Sequence, residues 1–482
     1  VIGSGPGGAL AAYELAKAGK SVVILEAGPR VRHGDTRRDA GMVLNRFFFY
    51  GGMRSTRGNT VMPSMQPRNL GGGSVWNSAI CMRLPQFVLD RYENEHGLSG
   101  FSAGRLNRHF DEVESFMGVR PVADDVLGPR NELFARACDN VGITATRIDR
   151  NESGCKGSSE CFTFCPNDAK LSMDRRGIPE VLDLGGTVYT SISAHKLIKE
   201  GSAVRGVRGF VVHPVTYQRS YQVEVRAKVT VLAAGCLATP EILQRSGVGN
   251  SRVGQNLRFH PGSMVMGEFD HEIEPWSGAT QGFHCLDFME EGIKLESLWA
   301  TSSLMASRFP GLGKDLQGLL KNYRKMCSWD SWVSGEDSVG YIKARAGRRA
   351  DIVFNIGQGD ADRMVESMAK LSDMFFSVGA KSVMTGLHGV EAPSSQKNLA
   401  DQLRARHFKV QEVPFASNHI FGTTAMGTDP KRHAVDPQGA LYGADNVYVC
   451  DTGLLPSTPG ANPMLPTMAL VHMVTEHINS QF

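Results

Sequence analysis

The chain of 482 residues lacks several things, and each lack removes a class of protein. No run of apolar residues reaches 18, so no helix-length segment is built to span a bilayer. Neither sign of charge dominates: 52 Lys and Arg against 49 Asp and Glu leave a formal net charge of +3. That balance excludes nucleic acid or an anionic membrane as a general partner. Cysteine is sparse, nine in all, which excludes a disulfide-held scaffold. No arrangement of His with His or Glu points to a catalytic metal. No internal repeat or low-complexity segment is evident. An initiator Met is also missing; the chain opens on Val1 inside an apolar stretch, so residues are expected upstream and a signal peptide is neither seen nor excluded.

What is present suits a large folded enzyme. Hydrophobic residues make up 41% and charged residues 21%, enough apolar material for a sizeable core. At roughly 150 residues per domain the length allows about three domains. Glycine is 54 of 482, about 11% against a usual ~7%, and such an excess suits a backbone that approaches a large ligand closely.

The first thirty residues carry the sharpest signal. Val1-Ile2 ends a strand, and next comes Gly3-Ser-Gly5-Pro-Gly7-Gly8. A small and apolar run from Ala9 to Ala18 reads as a helix, and Ser21 to Glu26 as a second buried strand. Strand, Gly-x-Gly-x-x-Gly, helix, strand and terminal acid is a dinucleotide-binding pattern. Gly3 makes the tight turn, Gly5 admits a pyrophosphate to backbone amides, and Gly8 lets helix and strand pack closely. The helix N-terminus offers partial positive charge to the phosphates. Glu26 falls where a ribose hydroxyl would sit, which favours FAD or NAD over NADP. A second such fingerprint between strand and helix is absent, which argues against a nicotinamide co-substrate.

Further nucleotide-sheet pieces are widely separated. Val229–Gly235 reads as a strand after a hairpin-like stretch from Val204 to Val225. Thr239 is placed to cap the next helix, with Pro240 at its first position. Val447–Asp451 is another strand, followed by a Pro- and Gly-rich loop and a last helix from about Leu465 to Ile478. The expected class is therefore α/β: a doubly wound, Rossmann-like domain built from separated segments (1–85, 181–262 and 426–482), plus an α+β substrate domain with an antiparallel sheet (86–180 and 263–425).

With these pieces in place the chain resembles the glucose-methanol-choline (GMC) family of flavoprotein oxidoreductases. The resemblance rests on six ordered blocks: the N-terminal fingerprint; Asn69-Leu-Gly-Gly-Gly-Ser-Val-Trp-Asn77; residues 231–249; Val253 to Pro261; His419 to Gly427; and Asn446 to Asp451 running into Pro459 to Met464. It implies a bound FAD. Gly3, Gly5, Gly8 and Glu26 would hold the ADP half, Gly72, Gly73, Ser74 and Asn77 would lie along the pyrophosphate and flavin, and Asp451 and Asn462-Pro463 would border the ribityl chain and ring.

Alcohol oxidation needs a proton taken from oxygen and a hydride taken from carbon, and a flavin N5 accepts the hydride. Histidine suits the proton, with an ordinary pKa of ~6.5. His419 matches the family's catalytic His, and Asn462 its partner position, where an amide orients the substrate oxygen. His433, His472 and His477 lack such context and read as structural, as does His260 before Pro261.

Cys155, Cys161 and Cys165 resemble the Cys-rich insertion of bacterial GMC dehydrogenases and long-chain alcohol oxidases. In the FAD glucose and fructose dehydrogenases that region holds a 3Fe-4S cluster, and the first gap here is one residue longer than theirs. Cluster, disulfide and plain thiols stay open. The aromatic run Phe47-Phe-Phe-Tyr50 reads as a buried core strand or the wall of an apolar entrance, and no cluster of polar residues announces a sugar site. The expectation is FAD-dependent oxidation of a primary or secondary alcohol, with oxygen or an external electron acceptor taking the electrons. The alternatives are a flavin-containing lyase of the family with no net redox, and a flavin-binding partner of an electron-transfer assembly.

Overall fold

The computed structural model describes residues 1–36, 39–299, 301–347 and 349–482. Five short segments line up in parallel at its nucleotide end, in the order Thr187–Tyr189, Val23–Leu25, Ile2, Thr230–Leu232 and Val447–Val449. All are short and apolar, and the three central ones are buried almost throughout, as parallel strands covered on both faces must be. The first helix, Pro6–Lys17, starts directly after the glycine turn and buries a face of Ala and Leu. The last helix, Met464–Gln481, packs beside it, with helix Asn107–Met117 behind. On the other side lies a three-stranded antiparallel sheet, Ile192–Glu200, Ala203–Val212 and Arg219–Arg226.

The second core is a six-stranded antiparallel sheet in the order Ser382–Met384, Gly262–Glu268, Met326–Val333, Ile293–Leu298, Phe283–Cys285 and Thr146–Arg147. Side chains alternate across it. One face packs on the helix Gln358–Ser377, where Trp329 stacks on Phe375 at 3.8 Å and Ser331 meets Ser367. The opposite face presents His284, Lys294, Glu296, Asp330 and Trp332, paired across neighbouring strands. That face turns toward the nucleotide half, since Lys294 reaches Asn462. The architecture is the expected mixed α/β one, a Rossmann-like half with an antiparallel sheet beside it. No helix among the described residues is long and apolar enough to cross a membrane.

Three local expectations change. The helix near Thr239 starts two residues earlier than expected, at Ala238, so Thr239 lies inside its first turn; its hydroxyl donates to Asp451 Oδ2 at 2.5 Å instead of capping. The 204–225 stretch gains a third strand. The aromatic run is not a strand: Phe47 ends the helix Ala40–Phe47, and a 3₁₀ turn runs from Phe49 to Gly52. Phe47 and Phe48 are buried against Trp76, within a small cluster that includes Phe164.

Candidate functional site

The nucleotide end is assembled from two glycine-rich turns set face to face. Gly8 permits the packing of helix on strand, because a Cβ there would lie 2.1 Å from the Gly3 carbonyl oxygen and 2.9 Å from the Ala233 Cβ. Gly5 and Gly73 differ: a Cβ on either would meet nothing nearer than 3.9 Å. They border an open cradle at the start of an α-helix, the setting in which backbone amides receive phosphate. Gly72, at φ +56, approaches Gly5 so closely that a Cβ would lie 2.7 Å from its Cα. Ser4 locks the two turns together, its Oγ accepting from Gly71 N at 3.1 Å and donating to Glu26 Oε2 at 2.7 Å. Glu26 Oε2 also accepts from Ser4 N, and Oε1 from Gly28 N at 2.8 Å. Burial pushes this carboxyl up, those donors oppose it, and the two oxygens keep lone pairs for further donors.

The other expected cofactor residues are partly engaged by the chain itself. Ser74 Oγ donates to Gly71 O and accepts from Met173 N. Asn77 donates to Met464 Sδ, and its own carbonyl accepts from Lys170. Asp451 accepts from Gly235 N, Thr239 Oγ1 and Gly453 N, so its carboxylate ties the 235–239 stretch to its own loop. Pro463 precedes the 18-residue terminal helix, whose N-terminal end is thereby brought beside Asn462. An open cradle at a helix N-terminus, a buried acid beside it and a second glycine turn against it fit an FAD.

His419 and Asn462 come together, with Nδ2 of Asn462 3.4 Å from Nε2 of His419. The chain's own chemistry fixes the orientation of both. Lys294 Nζ lies 2.8 Å from Asn462 Oδ1, and an ammonium can only donate. The amide oxygen therefore faces Lys294 and the NH₂ faces His419. A donor facing Nε2 leaves that nitrogen as the acceptor, so the proton of neutral His419 is on Nδ1. Nδ1 lies 3.2 Å from Nδ1 of His260, which accepts there and donates from Nε2 to Thr458 Oγ1 at 3.0 Å. His260 is held flat against Trp332, with ring centroids 4.1 Å apart.

The ionisation states agree with this network. Burial, opposed by Glu296 and reinforced by Lys294, lowers His419 to about 4, so its imidazole is neutral at pH 7. His260 is held well below the ordinary histidine value, chiefly by burial. Lys294 is fully buried and paired with Glu296, whose carboxyl is held below its usual range by that cation despite burial. Glu296 also accepts from Gln281 Nε2 at 2.9 Å. Asp330, next to Glu296 across the sheet, is pushed well above the carboxylate range by burial and by that neighbouring charge.

Sequence reasoning missed several of these residues. His260 read as structural, yet it touches His419. Lys294, Glu296, Asp330, Gln281 and Thr458 were not singled out. The readable signal was faint: charged residues at alternate positions in the otherwise apolar strands Ile293–Leu298 and Met326–Val333. The absence of a polar cluster in the sequence is likewise corrected, because the fold assembles one from separate strands.

Cys155, Cys161 and Cys165 line a single small cavity with Arg150 and Lys170. All three are free thiols, so the disulfide reading is not realised. Arg150 Nη2 lies 3.2 Å from Cys161 Sγ, and Lys170 donates to the carbonyls of Val75, Asn77 and Cys161. Burial alone would raise the Cys161 thiol; the two cations outweigh it and hold the thiol below its ordinary value. Among the described residues, three potential ligand atoms come within 4.8 Å of one another at His109, His472 and Glu476, not at the cysteines. There His109 and His472 bond to each other at 2.8 Å and Glu476 pairs with Arg108.

Known proteins share this architecture. Family models described as GMC oxidoreductase match residues 44–262 and 337–470, and one described as an NAD(P)-binding Rossmann-like domain matches 1–51. An uncharacterized GMC-type oxidoreductase of Mycobacterium tuberculosis is 30% identical, over 99% of this chain and 75% of its own length. Long-chain-alcohol oxidase FAO3 of Arabidopsis thaliana is 26% identical, over 99% of this chain and 67% of its own. The crystal structure of pyridoxine 4-oxidase from Mesorbium loti superposes with a TM-score of 0.74 at 17% identity, covering 99% of this chain and 98% of that one. The chain belongs to the GMC family of FAD-dependent oxidoreductases.

Proposed function

We propose that the chain oxidises a primary or secondary alcohol to a carbonyl, with His419 as the base and Asn462 as the group that orients the alcohol oxygen. FAD, held by the segments 1–85, 181–262 and 426–482, supplies the hydride acceptor when bound. The substrate then lies against the segments 86–180 and 263–425. Relatives named for oxidising long-chain alcohols and pyridoxine support a CH–OH donor.

The observation that carries this reading is the facing pair of a neutral imidazole nitrogen and an amide N–H, 3.4 Å apart. That separation is long for a hydrogen bond between them. A carbinol oxygen entering there donates its proton to His419 Nε2 and accepts from Asn462 Nδ2. As the proton moves to Nε2, charge grows on the oxygen, and the amide N–H is already aimed at it. Lys294, bonded to the amide oxygen, polarises that amide and keeps it from turning over. His260 keeps the second imidazole nitrogen protonated and in plane. Electrons leave to oxygen or to an external acceptor.

The test is anaerobic mixing with alcohols: bleaching of the flavin absorbance supports oxidation. Turnover of a cyanohydrin-like substrate without bleaching by any alcohol favours the lyase alternative. Oxygen consumption with peroxide release then separates an oxidase from a dehydrogenase. The second cofactor suggested by the resemblance, a 3Fe-4S cluster on Cys155, Cys161 and Cys165, has a suitable donor set: three thiols around one cavity, with two buried cations to balance thiolate charge. Stoichiometric iron and acid-labile sulfide in the purified protein support it, and iron at background level removes it.

A further inference from the structure

The sheet face beside Asn462 carries more polar chemistry than proton removal uses. Lys294, 0% exposed, commits two of its three N–H groups, to Asn462 and Glu296. His284, 5% exposed, lies opposite Glu296 across the sheet, and its Nδ1 has no partner. Asp330 lies opposite Glu296 on the other side, and its Oδ1 also has none. Trp332 lies opposite Lys294, 4% exposed, with Nε1 unpaired. Native interiors rarely leave such atoms unsatisfied, and here three of them gather on one face around a buried ion pair. The face is also on the site, because Lys294 holds the amide that faces His419. A purely apolar alcohol lying on it would leave every one of these groups unpaired.

We infer that this site takes a polar carbinol, one bearing a second hydrogen-bonding heteroatom near the reacting carbon, and discriminates against plain alkanols and aryl carbinols. The inference rests on the oxidation reading and adds the substrate class to it. The third Lys294 N–H and the unpaired Trp332 Nε1–H donate to an acceptor on the substrate. The unpaired Asp330 Oδ1, or His284 Nδ1, receives a donor. Two chemistries meet these demands: a vicinal hydroxyl, as in polyols, and a ring nitrogen, as in a heteroaryl methanol.

Matched pairs test it. Rates of anaerobic flavin reduction, taken per molar alcohol, are compared for hexane-1,2-diol against hexan-1-ol, and for pyridin-3-ylmethanol against benzyl alcohol. The expected result is at least a ~100-fold preference for the polar member of one or both pairs, since a site built to hydrogen-bond a group rejects the analogue without it. The pair that shows the preference identifies polyol or heteroaryl chemistry. Asp330→Leu brings the ratio toward one, Asp330→Asn retains most of it, and His419→Ala slows both members alike. Equal rates within both pairs in the unaltered protein overturn the substrate class and leave the oxidation reading standing. No bleaching by any of the four, nor by a wider set of polyols and heteroaryl methanols, overturns the substrate class; no bleaching by any alcohol at all overturns the oxidation reading with it.

Discussion

Replacing Lys294 by Met removes the group that fixes the Asn462 amide, and the structure sets the size of the effect. Lys294 and Glu296 are both buried, at 0% and 2% exposure. Removing one partner of a buried pair costs about 3–5 kcal/mol, because the other charge is left uncompensated. The single variant is therefore strongly destabilised. Lys294→Met combined with Glu296→Gln removes both charges and recovers most of that loss. The hydrogen bond from Lys294 to Asn462 is charge-assisted, worth about 1.5–3 kcal/mol, and at about 1.36 kcal/mol per decade its loss slows flavin reduction about 10- to 100-fold. Stopped-flow flavin reduction, with thermal unfolding measured alongside, separates the two effects. The pH profile adds a signature that a merely structural role does not produce. Glu296 raises the His419 pKa and Lys294 lowers it. Lys294→Met alone thus moves the acid limb of the rate up from about 4, whereas the double variant leaves it at or below that value. A stable double variant that reduces flavin at the unaltered rate would refute the positioning argument.

The same geometry sets five further outcomes. Flavin reduction by a saturating alcohol stays level from about pH 8 to about pH 5 and falls toward about pH 4, because His419 is neutral down to about 4; a midpoint near the ordinary ~6.5 contradicts the burial assigned to it. The same depression sets a stability trend: unfolded histidines take up protons below ~6.5 that folded His419, His260 and His284 refuse, so denaturant midpoints decline as pH falls from about 6.5 toward about 4. Gly8→Ala forces a Cβ to within 2.1 Å of a backbone oxygen and lowers stability by at least about 1–3 kcal/mol. Gly5→Ala, at φ −65 and beside open space, keeps the melting temperature but weakens FAD binding about tenfold or more by filling the cradle, as titration of the apoprotein with FAD reports. His260→Phe keeps the stack on Trp332 and removes the acceptor for the His419 Nδ1 proton, slowing reduction about tenfold, a change readable in single-turnover kinetics.

The nucleotide half was legible in the sequence because its signals are local. Gly3 to Gly8, the helix after them and Glu26 lie within 24 consecutive residues, and each obeys a short-range rule. Thr239 was misread for the opposite reason: a hydroxyl next to proline looks like a cap, but Asp451, 212 residues away, competes for it. The substrate side was hardly legible. Lys294 and Asn462 are 168 residues apart, and nothing near either residue tells that a strand lysine meets a loop residue close to the start of the terminal helix. His260 announced only a His-Pro step, and its meaning depends on His419, 159 residues on, across a two-residue antiparallel pairing.

The reaction assigned to this chain stands or falls on one comparison. Purified protein and its His419→Ala variant, each with FAD bound, are mixed without oxygen with an alcohol that bleaches the unaltered flavin, and the rate of bleaching is recorded. Loss of a general base predicts a rate at least ~100-fold lower in the variant, with the flavin still bound and its oxidised spectrum unchanged. Bleaching at nearly the unaltered rate contradicts the assignment of His419 as the base.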